Sequence, residues 1–338
     1  MGVNIASIVE RSEIDLESLR GRVIAIDAYN AIYQFVSAIR QLDGRPLSDK
    51  DGRPTSHLIG LLHRNARLLL AGIRPVYVFD GIPNSMKAKT LEKRKESKMA
   101  AEAKYREALE KKDMEKAYSF AMQTTRLNEQ IITESMRILE LMGIPFLTAP
   151  EDGEAQASVM AARGDVWAIG SQDFDSLLFG APRCVRNLTL SNRRKMPGRK
   201  AFREVSVEIM YLEETLRKLD ITRDQLVDIA ILVGTDFNEG VSGIGPKKAL
   251  KLIKEKGAIE NTPFIEEIGQ DNVKDVRSIF LKPKFIESYA LRWRRPDRDG
   301  LISFLCREHE FSERNVLQAV ESLASADIGS QESLDRWM

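Results

Sequence analysis

Unbroken apolar runs punctuate this chain, and four of them lead into acid. Val23-Ile24-Ala25-Ile26 runs into Asp27, and Val76-Tyr77-Val78-Phe79 into Asp80. Val166-Trp167-Ala168-Ile169 reaches Asp173 and Asp175 after Gly170-Ser171-Gln172, and Ile144-Pro145-Phe146-Leu147 precedes Asp152 and Glu154. Runs of this length without polar alternation predict parallel strands covered on both faces. Helical patterns lie between them, so residues 1–80 read as strand, helix, loop, helix, strand. Residues 131–175 read as helix, strand, helix, strand. Thr55-Ser56 is a candidate cap for the helix carrying Leu58, Leu61, Leu62, Ala66 and Leu69. Residues 204–256 read as helical, with Leu226, Ile229, Ala230 and Val233 at helical spacing before Gly234-Thr235-Asp236.

One segment breaks this rhythm. Residues 81–130 are long, charged and poor in large aliphatics, and they fall between two strands of one sheet. Eleven Lys/Arg and seven Asp/Glu lie between Lys87 and Lys116, a composition that favours helix. Taken alone, the segment is a solvated helical hairpin. Its start directly after Asp80 argues instead for a cationic arch over whatever the acids bind. The organisation expected is therefore 1–80 and 131–256 as the two parts of a sheet domain, 81–130 as the arch, 257–323 as a helical closing segment, and 324–338 as a linker and tail.

The acids carry the chemistry. In open α/β sheets, ligands bind beyond the carboxyl ends of the strands, so these side chains should converge on one edge. Crowded carboxylates repel unless protons or cations neutralise them. Oxygen donors without nearby His or Cys suit Mg²⁺ or Mn²⁺ and not zinc. Two such ions about 3.5–4 Å apart can activate a water and hold the leaving oxygen of a phosphodiester. Asp173-x-Asp175 puts both carboxylates on one side if the backbone there is extended. Asp152-x-Glu154 should open a helix whose small residues, Ala155, Ala157, Ser158, Ala161 and Ala162, allow close packing. Any one Asp is most simply a cap or turn residue; the whole set at strand ends is not.

Three further patterns suggest nucleic acid. Gly243-Ile244-Gly245-Pro246-Lys247-Lys248 offers a tight turn, a Pro at the first helical position and exposed N–H groups flanked by lysines, a sequence-independent phosphate grip. An ordinary helical connection is the plain alternative. Lys87 and Arg94 are seven apart and share a helix face, from which they could neutralise charge on a scissile phosphate. Tyr33, in the first helix, could stack on an unpaired base, with core packing an equal alternative. Arg64 and Arg67 join the DNA-contacting candidates.

Charge and composition narrow the partner. The 51 Lys+Arg nearly balance 50 Asp+Glu, yet Ser176–Arg203 holds no acid and contains Arg183, Arg186, Arg193, Arg194, Lys195, Arg199, Lys200 and Arg203. An acidic edge beside basic tracks suits a nuclease. Cys184 and Cys306 give no disulfide framework or metal spacing, and His57, His63 and His309 give no ligand pattern. No stretch has signal-peptide or membrane-spanning character, so a soluble intracellular monomer without membrane contact is expected. Gln331-x-x-Leu334-x-x-Trp337-Met338 puts large apolar residues on a polar tail, which docking would explain.

Together these motifs resemble flap structure-specific endonucleases of the archaeal and eukaryotic type, in the 5′-nuclease superfamily. The likeness runs from Met1-Gly2 to Met338. It rests on Asp27-Ala28 with Ile32-Tyr33-Gln34-Phe35, Thr55-Ser56-His57-Leu58, Pro75 to Gly81, Ser171 to Leu178, Gly234-Thr235-Asp236 and Gly243 to Lys247. The resemblance implies an α/β PIN-like fold, its mostly parallel sheet flanked by helices, with a helical arch and a helical duplex-binding region. It implies two Mg²⁺, or Mn²⁺ in their place, held by Asp27, Asp80, Asp152, Glu154, Asp173, Asp175 and Asp236. It assigns Lys87 and Arg94 to the scissile phosphate, Tyr33 and Gly2 to the substrate, and Gly243, Gly245, Lys247 and Lys248 to duplex DNA, with K⁺ at that turn. It assigns Gln331, Leu334, Trp337 and Met338 to the replication sliding clamp. The implied activity is cleavage of displaced 5′ flaps, with 5′→3′ exonuclease action, in replication and long-patch base excision repair. An archaeal cell is the implied setting.

Two positions depart from the pattern. The family has Glu where Asp152 stands, which leaves ligation through water, or help from Glu151, as alternatives. Met338 stands where a second aromatic usually ends the clamp box. Other readings are a bubble or junction cutter, a clamp-bound scaffold without activity, and a single-strand ribonuclease.

Overall fold

A computed structural model describes residues 2–41, 43–189 and 205–324, with the backbone of 193–195, 202–204 and Ser325. The strands are β1 (Ser12–Ile14), β2 (Val23–Asp27), β3 (Arg74–Phe79), β4 (Phe146–Thr148), β5 (Ala168–Gly170), β6 (Arg183–Arg186), β7 (Arg193–Lys195), β8 (Phe202–Glu204) and β9 (Val207–Tyr211). The helices before and within the first half are α1 (Ala28–Ala38), α2 (Ser56–Leu70), α3 (Ala88–Glu110), α4 (Met114–Gln123), α5 (Glu129–Leu141), α6 (Gly153–Arg163) and α7 (Asp175–Leu178). Then come α8 (Leu212–Leu219), α9 (Arg223–Val233), α10 (Pro246–Lys256), α11 (Ile265–Ile268), α12 (Gln270–Leu281), α13 (Arg298–Ile302) and α14 (Glu313–Ser325).

Seven strands form one sheet in the order β1-β9-β6-β5-β2-β3-β4, parallel from β6 to β4 and antiparallel at β9 and β1. The pleat divides each central strand between two cores. Ile24, Ile26, Tyr77 and Phe79 face one layer with α1, α2, α5 and α14. Ala25, Val76, Val78 and Ile169 face the other with α6, α7, α9, α10 and α12. This two-sided burial is why the runs show no alternation.

The helical reading of 204–256 is wrong at its start. Residues 207–211 form β9, which joins β6 and β1 to extend the sheet edge, with Arg186 paired to Glu208 at 3.2 Å. Its short half-polar run, Val-Glu-Ile-Met-Tyr, passes without a break into the amphipathic α8, so the change of period is hidden. β1, β6, β7 and β8 escaped the apolar-run criterion for the same reason: they are short and carry polar side chains. Thr55 occupies the cap position of α2 but makes no side-chain cap bond. Ser56 works instead by donating to the Ile39 carbonyl at 2.6 Å and accepting from Leu47 N at 3.0 Å.

Residues 81–130 form a helical hairpin, α3 against α4, with Ala101, Ala108, Ala117 and Ala121 as its buried points. It rests on the sheet domain through Gly44 against Ala121 and through Tyr105, whose hydroxyl donates to Asp43 O at 3.2 Å. His57 and His309, both buried, flank Glu134: His57 Nε2 lies 3.1 Å from Glu134 Oε2, and His309 Nδ1 lies 3.3 Å from Asp49. Burial lowers the His57 imidazole pKa against the opposing pull of Glu134, while His63 is exposed. The tail residues Gln331, Leu334, Trp337 and Met338 lie outside the described residues, as do Arg199 and Lys200. Among the described residues no helix is long and apolar enough to cross a membrane.

Candidate metal and phosphodiester site

Parallel strands deliver the acids to one edge. Asp27 ends β2 and caps α1, its Oδ1 accepting from Asn30 N at 3.0 Å. Asp80 follows β3 and accepts from Gly153 N at 2.7 Å. A Cβ on Gly153 would lie 2.9 Å from that carboxylate and 3.0 Å from Val78 O, so only glycine lets α6 start this close to β3. Asp152 caps α6 through Ala155 N at 3.1 Å, and Glu154 in its first turn accepts from Ser176 N at 3.1 Å. Of the small residues of α6, all but Ala162 are buried.

Asp173 and Asp175 do not sit on an extended strand as expected. β5 stops at Gly170, Phe174 is helical (φ −94°, ψ −5°), and Asp175 opens α7. Both still join the cluster, because the turn is short. Asp175 is fixed from an unexpected direction by Val3 N, which donates to its Oδ1 at 2.7 Å. Gly2 therefore lies against the site: a Cβ there would fall 2.3 Å from Asp175 Oδ1.

The charges act on one another. Burial, then Asp80, raises the Asp27 carboxyl well above its usual range. Burial, then Asp175, does the same for Glu154. Asp80 is pushed up to about 6 by burial and by Asp152. Asp175 is pushed up to about 7, mainly by burial, with Asp173, Asp236 and Asp152 also raising it. All seven expected acids belong to this mutually repelling set.

Two cations from the arch answer it. Lys87 pairs with Asp152 Oδ2, and Arg94 lies 2.6 Å from both oxygens of Asp236. Burial opposes the Lys87 ammonium, but Asp152 outweighs it and raises the lysine pKa. Lys93 pairs with Glu239 at 2.6 Å, and Thr90 donates to Asp236 O at 2.8 Å. Beside these residues opens a cavity of about 430 Å³ lined by Asp80, Lys87, Leu91, Arg94, Asp152 and Phe237 among others. Glu151, beside Asp152 in that cavity, is engaged by Lys284 (2.5 Å) and Asn84 (3.2 Å).

The donor set fits a hard divalent cation: buried and half-buried, hydrogen-bonded carboxylates with excess negative charge and no soft ligand. Among the described residues no three side chains already surround a common point as a metal's ligands would. Asp152 and Asp236 are paired with Lys87 and Arg94.

The DNA candidates divide. Tyr33 is 36% exposed on α1 with Lys98 of the arch 5.6 Å from its ring centre, so it is not a core residue. Lys247 and Lys248 are exposed at the start of α10, where Pro246 takes the first turn and Gly243 has φ +76°. Lys248 donates to Gly243 O at 3.0 Å. Arg64 and Arg67 sit half-buried together on α2, and no contact of theirs reaches the acids. Arg183 and Arg186 of the basic run are structural: they lie 4.9 Å over Trp167 and 4.8 Å over Phe174. Sequence reasoning missed Asn30, whose side chain donates to Asp173 Oδ2 at 3.3 Å. Its place one helical turn after Asp27 was the available signal.

Comparison with known proteins agrees with this geometry. The XPG N-terminal domain matches residues 1–101 and the XPG I-region residues 143–236. The chain is 50% identical to flap endonuclease 1 of Pyrococcus abyssi over 100% of its length and 98% of that protein's. It is 51% identical to the Pyrococcus furiosus protein, over 100% and 99% of the two chains. The solved flap endonuclease-1 of Methanococcus jannaschii superposes with a TM-score of 0.77 at 39% identity, over 98% of this chain and 100% of that one. The catalytic core of Rad2, at 24% identity, TM-score 0.68 and coverage of 94% and 97%, shares the fold. Fold and acid-edged site thus define an XPG-type nuclease. Within that class, the chain belongs to the flap endonuclease 1 family.

The raised carboxyls have a measurable consequence. A carboxyl whose folded pKa exceeds its unfolded value binds more protons in the native state, so stability falls as pH rises between the two values. For Asp175 that window runs from its ordinary 3.8 to about 7. In chelator, wild-type protein should lose stability relative to Asp175→Asn as pH rises from about 5 to 7. Thermal melts at each pH read the difference; parallel curves would show that Asp175 is not strained.

Proposed function

We infer that this chain is a structure-specific 5′ flap endonuclease with 5′→3′ exonuclease activity, acting in DNA replication and repair. The observation that carries the reading is the cluster of carboxylates beyond the parallel strands, with Lys87 and Arg94 of the basic arch paired to it. Asp27, Asp80, Asp152, Glu154, Asp173, Asp175 and Asp236 hold two Mg²⁺, for which Mn²⁺ substitutes. Bound ions of this kind activate the attacking water and stabilise the leaving 3′ oxygen.

The protein's own groups do the rest. Lys87 and Arg94 exchange carboxylate partners for the scissile phosphate as charge develops there. Tyr33, exposed beneath the arch, stacks on the unpaired base at the junction, and Gly2 leaves room beside Asp175. Gly243, Gly245, Lys247 and Lys248, with K⁺ at the turn, hold duplex backbone at a fixed distance, so the enzyme reads shape and not sequence. Arg64 and Arg67 are withdrawn from the catalytic edge and contact DNA only where the duplex leaves it. The protein works as a monomer, with Gln331, Leu334, Trp337 and Met338 docking on the sliding clamp.

The direct test is an end-labelled 5′-flap duplex with Mg²⁺, beside the free strand and a chelator control. A cut at the junction only in the flap, lost with chelator, is expected. Equal cutting of the free strand would favour a ribonuclease-like activity, and binding without any cut would leave a scaffold.

Two more outcomes follow from the assigned contacts. Changing Lys247 and Lys248 to Ala should weaken duplex binding across sequences and flatten its salt dependence by a slope of about 2, one per lysine. An unchanged slope moves the phosphate grip elsewhere. Deleting 331–338 should spare basal cleavage and remove stimulation by the cognate clamp. Undiminished stimulation would show that another surface docks.

A further inference from the structure

Asn30 and Gln34 lie in the first helix behind the acids, and nothing in the roles assigned above uses them. Asn30 touches two of the carboxylates at once. Its backbone N–H donates to Asp27 Oδ1 at 3.0 Å, and its side-chain Nδ2 donates to Asp173 Oδ2 at 3.3 Å. A side-chain amide can turn over, and the flipped form would put its oxygen against the Asp173 carboxylate, acceptor against acceptor. Gln34, one turn later, supports the observed orientation: its Nε2 donates to Asn30 Oδ1. Gln34 also meets the buried Thr189, whose hydroxyl donates to Gln34 Oε1 at 3.4 Å. The chain of bonds links Asp173 through two amides to Thr189, and the acceptor-only carboxylate sets its sense.

We propose that Asn30 is a positioning residue that sets Asp173 relative to Asp27, with Gln34 holding the far end of its amide. Each carboxylate then spends one oxygen on Asn30 and keeps the other for a divalent cation. Outer-shell hydrogen bonds of this kind hold ligating carboxylates in the rotamer the metal needs, and their loss costs about 10–100-fold in metal affinity. The α1 geometry accounts for the pairing. Asp27 caps the helix, so the residue three positions later presents its backbone to that cap and its side chain to the neighbouring strand's turn. The inference rests on the reading of Asp27 and Asp173 as metal ligands.

Mn²⁺ binding without DNA tests it, read by calorimetry or by the resonance of the free ion, alongside the Mg²⁺ concentration that half-saturates cleavage. Asn30→Leu should weaken Mn²⁺ binding about 10-fold and raise the Mg²⁺ requirement similarly, with flap binding in chelator unchanged. Gln34→Leu should move both readouts the same way by less. The double variant should be no weaker than Asn30→Leu alone, because Gln34 acts through Asn30. If Asn30→Leu does not fold, Asn30→Ser removes the same amide and carries the same expectation. Wild-type Mn²⁺ affinity in a folded Asn30 variant would overturn the proposal, and additive losses in the double variant would overturn the relay. Asp173→Ala separates the two levels. If it too binds Mn²⁺ like wild type, the ligand reading fails; if it loses binding while Asn30→Leu does not, only the positioning role fails.

Discussion

Asp173→Ala should reduce flap cleavage at least about 1000-fold, roughly 4 kcal/mol of barrier, while flap binding survives. Asp173 lies in the turn beyond β5, its backbone N–H donating to Ser171 Oγ at 3.1 Å and its carboxylate meeting Asn30. It raises the carboxyl pKa of Asp27, Glu154 and Asp175, so it stands within reach of ligands on both sides of the cluster. On the proposed reading of Asp173 as a ligand, its loss would disturb the alignment of both cations, on which two-metal hydrolysis depends. The groups assigned to grip the substrate, Tyr33, Lys247 and Lys248, are on other elements. Single-turnover rates with Mg²⁺ and a gel shift in chelator separate the two effects. Cleavage within tenfold of wild type would sink the metal assignment.

Arg277→Ala should cost about 3 kcal/mol of folding stability. Asp228 is buried in α9 at 2% exposure, and Arg277 of α12 reaches it through Nε at 3.0 Å and a terminal nitrogen at 2.6 Å. The same guanidinium holds Glu260 at 2.7 Å, and Ile259 N donates to the other Asp228 oxygen at 3.1 Å. Removing the arginine strands a buried carboxylate, which costs more than the pair itself contributes. Arg277 thus ties together the helices that support the Gly243–Lys248 turn. Arg277→Ala with Asp228→Asn should lose less than Arg277→Ala alone, since the stranded charge is gone. Denaturant titrations of the two variants decide it; an equal loss would show that packing, not the charge, carries the effect.

What could be read from sequence follows the physics of each signal. β2, β3 and β5 announce themselves because burial on two faces removes every polar residue from the run. The acids were legible because each stands just past such a strand. β9 was not, because Glu208 faces Arg186 on the neighbouring strand and Tyr211 passes directly into α8. The bend at Phe174 was hidden as well, since nothing local distinguishes a turn after Gly170 from a longer strand. Contacts between distant positions, such as Asn30 with Asp173, Val3 with Asp175, or His57 with Glu134 and Asp49 with His309, leave no trace in a single chain. Asp27, Glu154 and Asp175 feel the charge of the neighbouring acids at the sheet edge, and the DNA-contact candidates Arg64 and Arg67 lie half-buried on α2.

The arch has a topological meaning beyond its charge. β3 and β4 are parallel neighbours, and such a pair needs a crossover of a dozen or more residues. α5 already spans that crossover. The hairpin of α3 and α4 is therefore surplus chain, spliced into a connection that was complete without it, and none of its side chains enters either apolar core. Lengthening a connection of this kind costs little, about 0.6 kcal/mol per doubling. The scaffold that assembles the carboxylates and the charged hairpin that pairs with them can thus be altered separately, the second without refolding the first.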